Sequence, residues 1–273
     1  MTMTSLAVFD IDGTLTDTTA VDNACFLRAV SEVLGVEVSR VDWSTAPHVT
    51  DSALLVWLAG QHGKLPVSDR TANLMVDRFI ELLETERLRS ADRFRPVAGA
   101  SQLVAALAHA GWSCALATGG WERSARLKLA AAGLDADALV MASSNDASTR
   151  IEIMQIAAVR AQGNGAAFTR IVSCGDAVWD IHAAAALQWP FVGVAVGTAV
   201  TTLRNNGATT IVADYSDFSA FLAALDSAEP PRLTPGGPEG GADGHSCRPP
   251  HSPGAARSGL DTTTSGESHG KPA

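Results

Sequence analysis

The chain has little that would staple it, anchor it or charge it positively. Only 4 of its 273 residues are cysteine: Cys25, Cys114, Cys174 and Cys247. They are widely spaced and form no C-x-x-C pair, so neither a disulfide framework nor a cysteine zinc site is indicated. They read as small core residues, with Cys247 in a tail. Lys and Arg number 20 against 29 Asp and Glu, a formal charge of −9, which argues against nucleic acid or an anionic membrane surface as the main partner. No apolar run approaches the roughly 20 residues needed to span a bilayer, and the N-terminus lacks a basic segment followed by an apolar stretch. The expectation is a cytoplasmic protein with no nucleic-acid or membrane partner. What the chain does have is an apolar fraction of 46% and the length for one large domain or two smaller ones.

The most informative stretch is Leu6-Ala7-Val8-Phe9-Asp10-Ile11-Asp12-Gly13-Thr14-Leu15-Thr16-Asp17. A run of β-favouring apolar residues delivers two carboxylates and then breaks at a glycine. In extended backbone Asp10 and Asp12 lean toward one face, and Gly13 permits a sharp turn. Acids at the carboxyl end of a strand in an open α/β sheet sit where ligands bind.

After Asp17 the apolar spacing becomes helical, with Val21, Cys25, Phe26, Ala29, Val30, Val33 and Leu34 before Gly35. Further helices are expected near 52–61 and 69–88, with no strand among them. From Pro96 onward helices and strands alternate: helices near 100–110, 121–132, 150–162 and 216–225, another ending at Leu187, and strands at 112–117, 139–141, 171–174, 191–196 and 211–213. That alternation implies βαβ units and a largely parallel sheet. Residues 227–273 turn to Pro, Gly, Ser and Thr and are expected to form a disordered tail.

Two more strand ends carry chemistry-bearing residues. Thr118 with Gly119 and Gly120 follows the strand 112–117; it is either a helix N-cap or a hydroxyl that, with the glycine N–H groups, holds an anion. Gly175-Asp176-Ala177-Val178-Trp179-Asp180 follows the strand 171–174. Its acids are either helix-terminal residues complementing the dipole or oxygen ligands for a cation. Two cations stand near these elements, Arg150 and Lys128, each either a solvated helix charge or a phosphate partner. In the loop 43–51, His48 and Thr50 are candidates for substrate contact, with Thr50-Asp51 alternatively an N-cap.

Together, DIDGTLTDT, Ala117-Thr118-Gly119-Gly120 and GDAVWD resemble the first, second and fourth motifs of the haloacid dehalogenase superfamily, in order, over about residues 5–225. The resemblance is to the branch of phosphoglycolate phosphatases and β-phosphoglucomutases. It implies a Rossmann-like, mostly parallel α/β core formed by 1–17 and 95–226, with an inserted all-helical cap at 18–94. It further implies a Mg²⁺-dependent phosphatase for a small phosphorylated metabolite, with Asp10 as nucleophile and Asp12 as general acid and base. Thr118, Gly119 and Gly120 would hold the phosphate, and Asp10, Asp12 through its carbonyl, Asp176 and Asp180 would hold the metal. The third motif departs from the pattern: where the family has a Lys-Pro pair this chain has Arg150 and no proline, leaving Arg150, favoured by position, or Lys128 for that role. A phosphomutase with the same residues, or a non-catalytic phospholigand-binding relative, are the alternatives. The protein is expected to be a monomer or a homodimer.

Overall fold

Residues Thr4–Phe9 form strand β1, whose alternation decides what each side chain meets. Ala7, Phe9 and then Ile11 enter one apolar cluster, and Leu6 and Val8 enter another, as the two-residue period of a strand requires. A strand apolar on both faces belongs in the middle of a covered parallel sheet. The computed structural model describes residues 4–135, 137, 139–163 and 167–233.

A two-residue strand β2 (Thr16–Asp17) leads into helices α1 (Thr19–Leu34), α2 (Asp51–Gln61) and α3 (Asp69–Arg89). The chain returns through β3 (Arg95–Pro96), antiparallel to β2. Helix α4 (Ala100–His109), strand β4 (Trp112–Ala117), helix α5 (Glu122–Ala131), strand β5 (Val140–Ala142) and helix α6 (Arg150–Gln162) follow. Then come β6 (Phe168–Gly175), α7 (Val178–Leu187), β7 (Phe191–Val194), α8 (Thr198–Asn205), β8 (Thr210–Val212) and α9 (Phe218–Ser227).

Six strands make one sheet in the order β5-β4-β1-β6-β7-β8, with every pairing parallel. Leu103 and Leu107 of α4 and Phe221 and Leu225 of α9 pack on the Phe9 face. Ile153 and Ala157 of α6 with Ile181 and Ala184 of α7 pack on the Leu6 and Val8 face. The strand order runs outward in both directions from β1, which puts the binding crevice beyond the carboxyl end of β1. The expected Rossmann-like α/β core is therefore present.

The inserted helices have a core of their own. Phe26 of α1 and Phe79 of α3 stack edge to face at 5.8 Å, and Trp121, which lies just before α5, sits 5.9 Å from Phe26 and 6.0 Å from Phe79. Leu55 and Leu58 of α2 and Leu82 and Leu83 of α3 complete this cluster. Among the described residues no helix is long and apolar enough to cross a membrane. Cys25 and Cys174 are buried and Cys114 is half-buried, whereas Cys247 lies outside the described residues.

Three sequence expectations need correction. The short β2–β3 ribbon, just outside 18–94, stands between the first strand and the inserted helices, which the sequence placed directly after that strand. Helix α8 was not foreseen, because Thr-Ala-Val-Thr-Thr-Leu-Arg-Asn has weak helix formers and buries only Leu203. The tail does not begin at 227. Ser227 ends α9, Ala228 is buried, the Glu229 carbonyl accepts from Phe191 N–H at 3.1 Å, and Arg232 N–H donates to the Gly207 carbonyl at 3.0 Å. These backbone bonds order a segment whose composition offers few apolar side chains; residues 234–273 lie outside the described residues. A chain ending at 227 is expected to be less stable than one ending at 233 by about 1–3 kcal/mol, as read from urea unfolding of the two.

Candidate active site

Parallel register brings the three sequence motifs to one edge. Phe9 is opposite Leu116 of β4 and Cys174 of β6, so Asp10, Thr118 and Asp176 all emerge at the carboxyl ends of adjacent strands. The Asp10 N–H continues the ladder, donating to the Cys174 carbonyl at 3.0 Å. The turn beyond it winds around one acceptor: Thr14, Leu15 and Thr16 N–H groups all donate to the Ile11 carbonyl. Gly13 stands at φ +79°, and a Cβ there would lie 2.0 Å from an Asp176 carboxylate oxygen. Only glycine allows this turn to approach Asp176 so closely.

Asp10, Asp176 and Asp180 each offer a carboxylate oxygen within 4.8 Å of the others. Such crowding of like charges in a buried site needs a cation. Arg150 supplies part of it, with Nη1 3.0 Å from Asp10 Oδ1 and Nη2 donating to Asp180 Oδ1. The second Asp180 oxygen accepts from Ala177 N–H at 3.2 Å, tying the carboxylate to the start of α7. Burial pushes Asp10 up to about 7 despite the pull of Arg150. Burial, with Asp10 and Asp180 adding repulsion, holds Asp176 well above the usual carboxylate range. Burial raises Asp180 as well, against the opposing Arg150 charge.

A second buried cation sits beside the first motif. Lys128 on α5 is fully buried and its Nζ donates to Asp12 Oδ2 and to Asp22 Oδ1 of α1. Asp12 Oδ1 accepts from Thr18 Oγ1 at 2.6 Å. Burial alone would lower the lysine, but Asp12, Asp22 and Asp51 outweigh it and hold the ammonium above its ordinary range. Burial raises Asp22 to about 6, with Lys128 pulling the other way.

The segment entering α2 lies directly on the second motif. Asp51 N–H donates to the Gly119 carbonyl at 2.8 Å, and the Asp51 carboxylate accepts from Trp121 N–H at 2.9 Å. Ser52 accepts from the Trp121 indole at 2.9 Å and donates to the Ser144 carbonyl at 2.9 Å. A Cβ on Gly119 would lie 2.8 Å from the Val49 carbonyl and 3.0 Å from Arg150 Nη1, so this position too must be glycine. Thr118 is buried, with its hydroxyl accepting from Gly120 N–H at 3.1 Å.

Of the candidates read from the sequence, Asp10, Asp12, Thr118, Gly119, Gly120, Lys128, Arg150, Asp176 and Asp180 therefore converge. Arg150 pairs with the first acid of the D-x-D motif and Lys128 with the second, so neither is a solvated helix charge. Thr50 caps α2, and its hydroxyl donates to the Ser148 carbonyl at 2.9 Å. His48 lines a different cavity of about 560 Å³, with Trp57, Val56 and Leu65. Asp22 was not foreseen. Its signal was an acid on the apolar face of a helix, next to Val21 and one turn before Cys25 and Phe26.

The family model for haloacid dehalogenase-like hydrolases matches residues 7–185. The chain belongs to this family. No curated protein matches the chain. Among solved structures, a hydrolase from Pseudomonas syringae aligns at 21% identity over 82% of this chain and 99% of its own, with a TM-score of 0.61. CbbY from Rhodobacter sphaeroides in complex with phosphate aligns at 19% identity over 82% and 100%, with a TM-score of 0.61. A β-phosphoglucomutase from Clostridium difficile aligns at 16% identity over 82% and 98%, with a TM-score of 0.58. At these identities the likeness is one of fold.

Removing the buried ammonium while keeping its bulk tests the second cluster. Lys128→Met leaves Asp12, Asp22 and Asp51 without their cation and is expected to lower stability by about 3–5 kcal/mol, measured by denaturant unfolding. Asp22 and Asp51, which burial already raises, then hold protons in the folded state that the unfolded chain releases, so the loss should be larger near about pH 8 than near about pH 5.

Proposed function

We propose that this hydrolase is a Mg²⁺-dependent phosphatase acting on a small phosphate monoester through an aspartyl-phosphate. The observation that carries the reading is the pairing of two acids two residues apart with two different buried cations: Asp10 with Arg150 and Asp12 with Lys128. Each acid thereby has its own buried counter-charge; in this reading Asp10 is the nucleophile and Asp12 the proton carrier.

The residues suit a hard divalent cation. Asp10, Asp176 and Asp180 offer only oxygen donors, as Mg²⁺ prefers, and among the described residues no hydrogen-bond donor is bonded to the Asp176 carboxylate, whose charge faces Asp10 and Asp180. These three carboxylates, with the Asp12 carbonyl, would hold Mg²⁺. When bound, the ion would offset the negative charge gathered on the phosphate oxygens.

Asp10 attacks phosphorus, the bond to the leaving oxygen breaks, and Asp12 gives its proton to the departing alkoxide. Asp12 then takes a proton from the water that attacks the aspartyl-phosphate, which regenerates Asp10 and frees inorganic phosphate. Arg150 and the glycine N–H groups of the second motif hold the phosphate oxygens. Lys128 keeps Asp12 oriented, and Thr18 fixes its other oxygen. The solved structure of CbbY with phosphate supports phosphate binding in this fold.

One observation also suits a phosphomutase: Asp10 is only 8% exposed, a burial that would limit access of water. Release of inorganic phosphate from a panel of monoesters separates the readings. The phosphatase should need Mg²⁺, lose all turnover in Asp10→Asn, and lose at least about 100-fold in Asp12→Asn. Turnover that requires a bisphosphate and leaves free phosphate unchanged would favour the mutase. Wild-type rates in Asp10→Asn would overturn the covalent mechanism.

A further inference from the structure

Around the proton carrier the charges are unequal. Asp12 must meet the leaving oxygen, so whatever is attached to that oxygen lies beside the Asp12 carboxylate. Asp22 is joined to Asp12 through the one ammonium of Lys128. The Asp51 carboxylate accepts from Trp121 N–H and lies 3.7 Å from a Cβ position on Gly120, at the same motif. Lys128 and Arg150 are the buried cations among the described residues. Lys128 is shared between two acids and has no exposure, and Arg150 is held by Asp10 and Asp180 on the phosphate side.

From this juxtaposition we infer that the site selects the ester by the charge of its leaving group: it takes the phosphate of an alcohol that bears no negative charge, a polyol or an amino alcohol, and disfavours one bearing a carboxylate or a second phosphate. The inference rests on the phosphatase reading and narrows its substrate class. An anionic leaving group would lie beside Asp12, whose neighbours Asp22 and Asp51 are further acids and whose one ammonium is already shared. Buried like charges a few ångströms apart repel strongly enough to cost on the order of tenfold to a hundredfold in rate constant. A neutral polyol instead offers hydroxyls to those carboxylates, and an ammonium offers them a counter-charge.

Three esters with the same two-carbon skeleton isolate the effect: 2-hydroxyethyl phosphate, phosphoethanolamine and 2-phosphoglycolate, with p-nitrophenyl phosphate as a generic ester. With the intact protein and Mg²⁺, kcat/KM for 2-phosphoglycolate should fall at least about tenfold below both others. Asp22→Asn should narrow that gap by raising the 2-phosphoglycolate value relative to 2-hydroxyethyl phosphate; Asp51→Asn serves the same purpose if the first variant does not fold. Equal or preferred hydrolysis of 2-phosphoglycolate by the wild-type protein would overturn the charge selection and leave the phosphatase intact. No turnover of any of the four esters would overturn the phosphatase reading, and the charge selection with it.

Discussion

Six aspartates at one end of a sheet would repel one another in the protein interior without the cations between them. Asp10, Asp176 and Asp180 gather around Arg150, and Asp12, Asp22 and Asp51 gather around Lys128. Breaking a buried pair by removing one partner leaves a charge that water can no longer solvate. Both basic side chains reach the site from core helices, α5 and α6, whereas two of the acids come from the inserted helices. Charge compensation therefore joins the two parts of the fold at the place where chemistry is expected.

The acids fall into two groups with different partners. Burial lifts the carboxylates of the first group, and Arg150 opposes that lift at Asp10 and Asp180. In the second group the ammonium of Lys128 stays charged because three acids outweigh its burial. Two aspartates two residues apart in the chain, similar in chemistry, thus meet different surroundings.

Much of this was legible in the sequence. The strand Leu6–Phe9, the acids after it, and the strand ends at Thr118 and Asp176 stand out because parallel strands bury long apolar runs and stop abruptly at polar residues. Arg150 was favoured over Lys128 because it stands where the resembled family has its third-motif lysine. The roles that remained hidden depend on tertiary pairing. Lys128 could not be told from a surface lysine, since nothing local to α5 reports that Asp12 and Asp22 close over it. Thr50 looked available for a ligand, but its hydroxyl caps α2 and bonds to Ser148 across the site. The ordered segment after Ser227 escaped notice because backbone bonds to Phe191 and Gly207 hold it, and composition carries no record of such bonds.

Trp121 has a consequence for how such a protein can change over evolutionary time. It follows the two glycines of the second motif, its N–H and indole are bonded to Asp51 and Ser52, and its ring is packed against both Phe26 and Phe79. The insert's apolar centre therefore includes a side chain that the insert does not encode. Exchanging residues 18–94 for the corresponding segment of a relative would leave a bulky ring without its socket and a socket without its ring. Recombination at the β2–β3 ribbon alone is thus a poor route to a new specificity, and drift in the helices is constrained by a residue that belongs to the loop after β4.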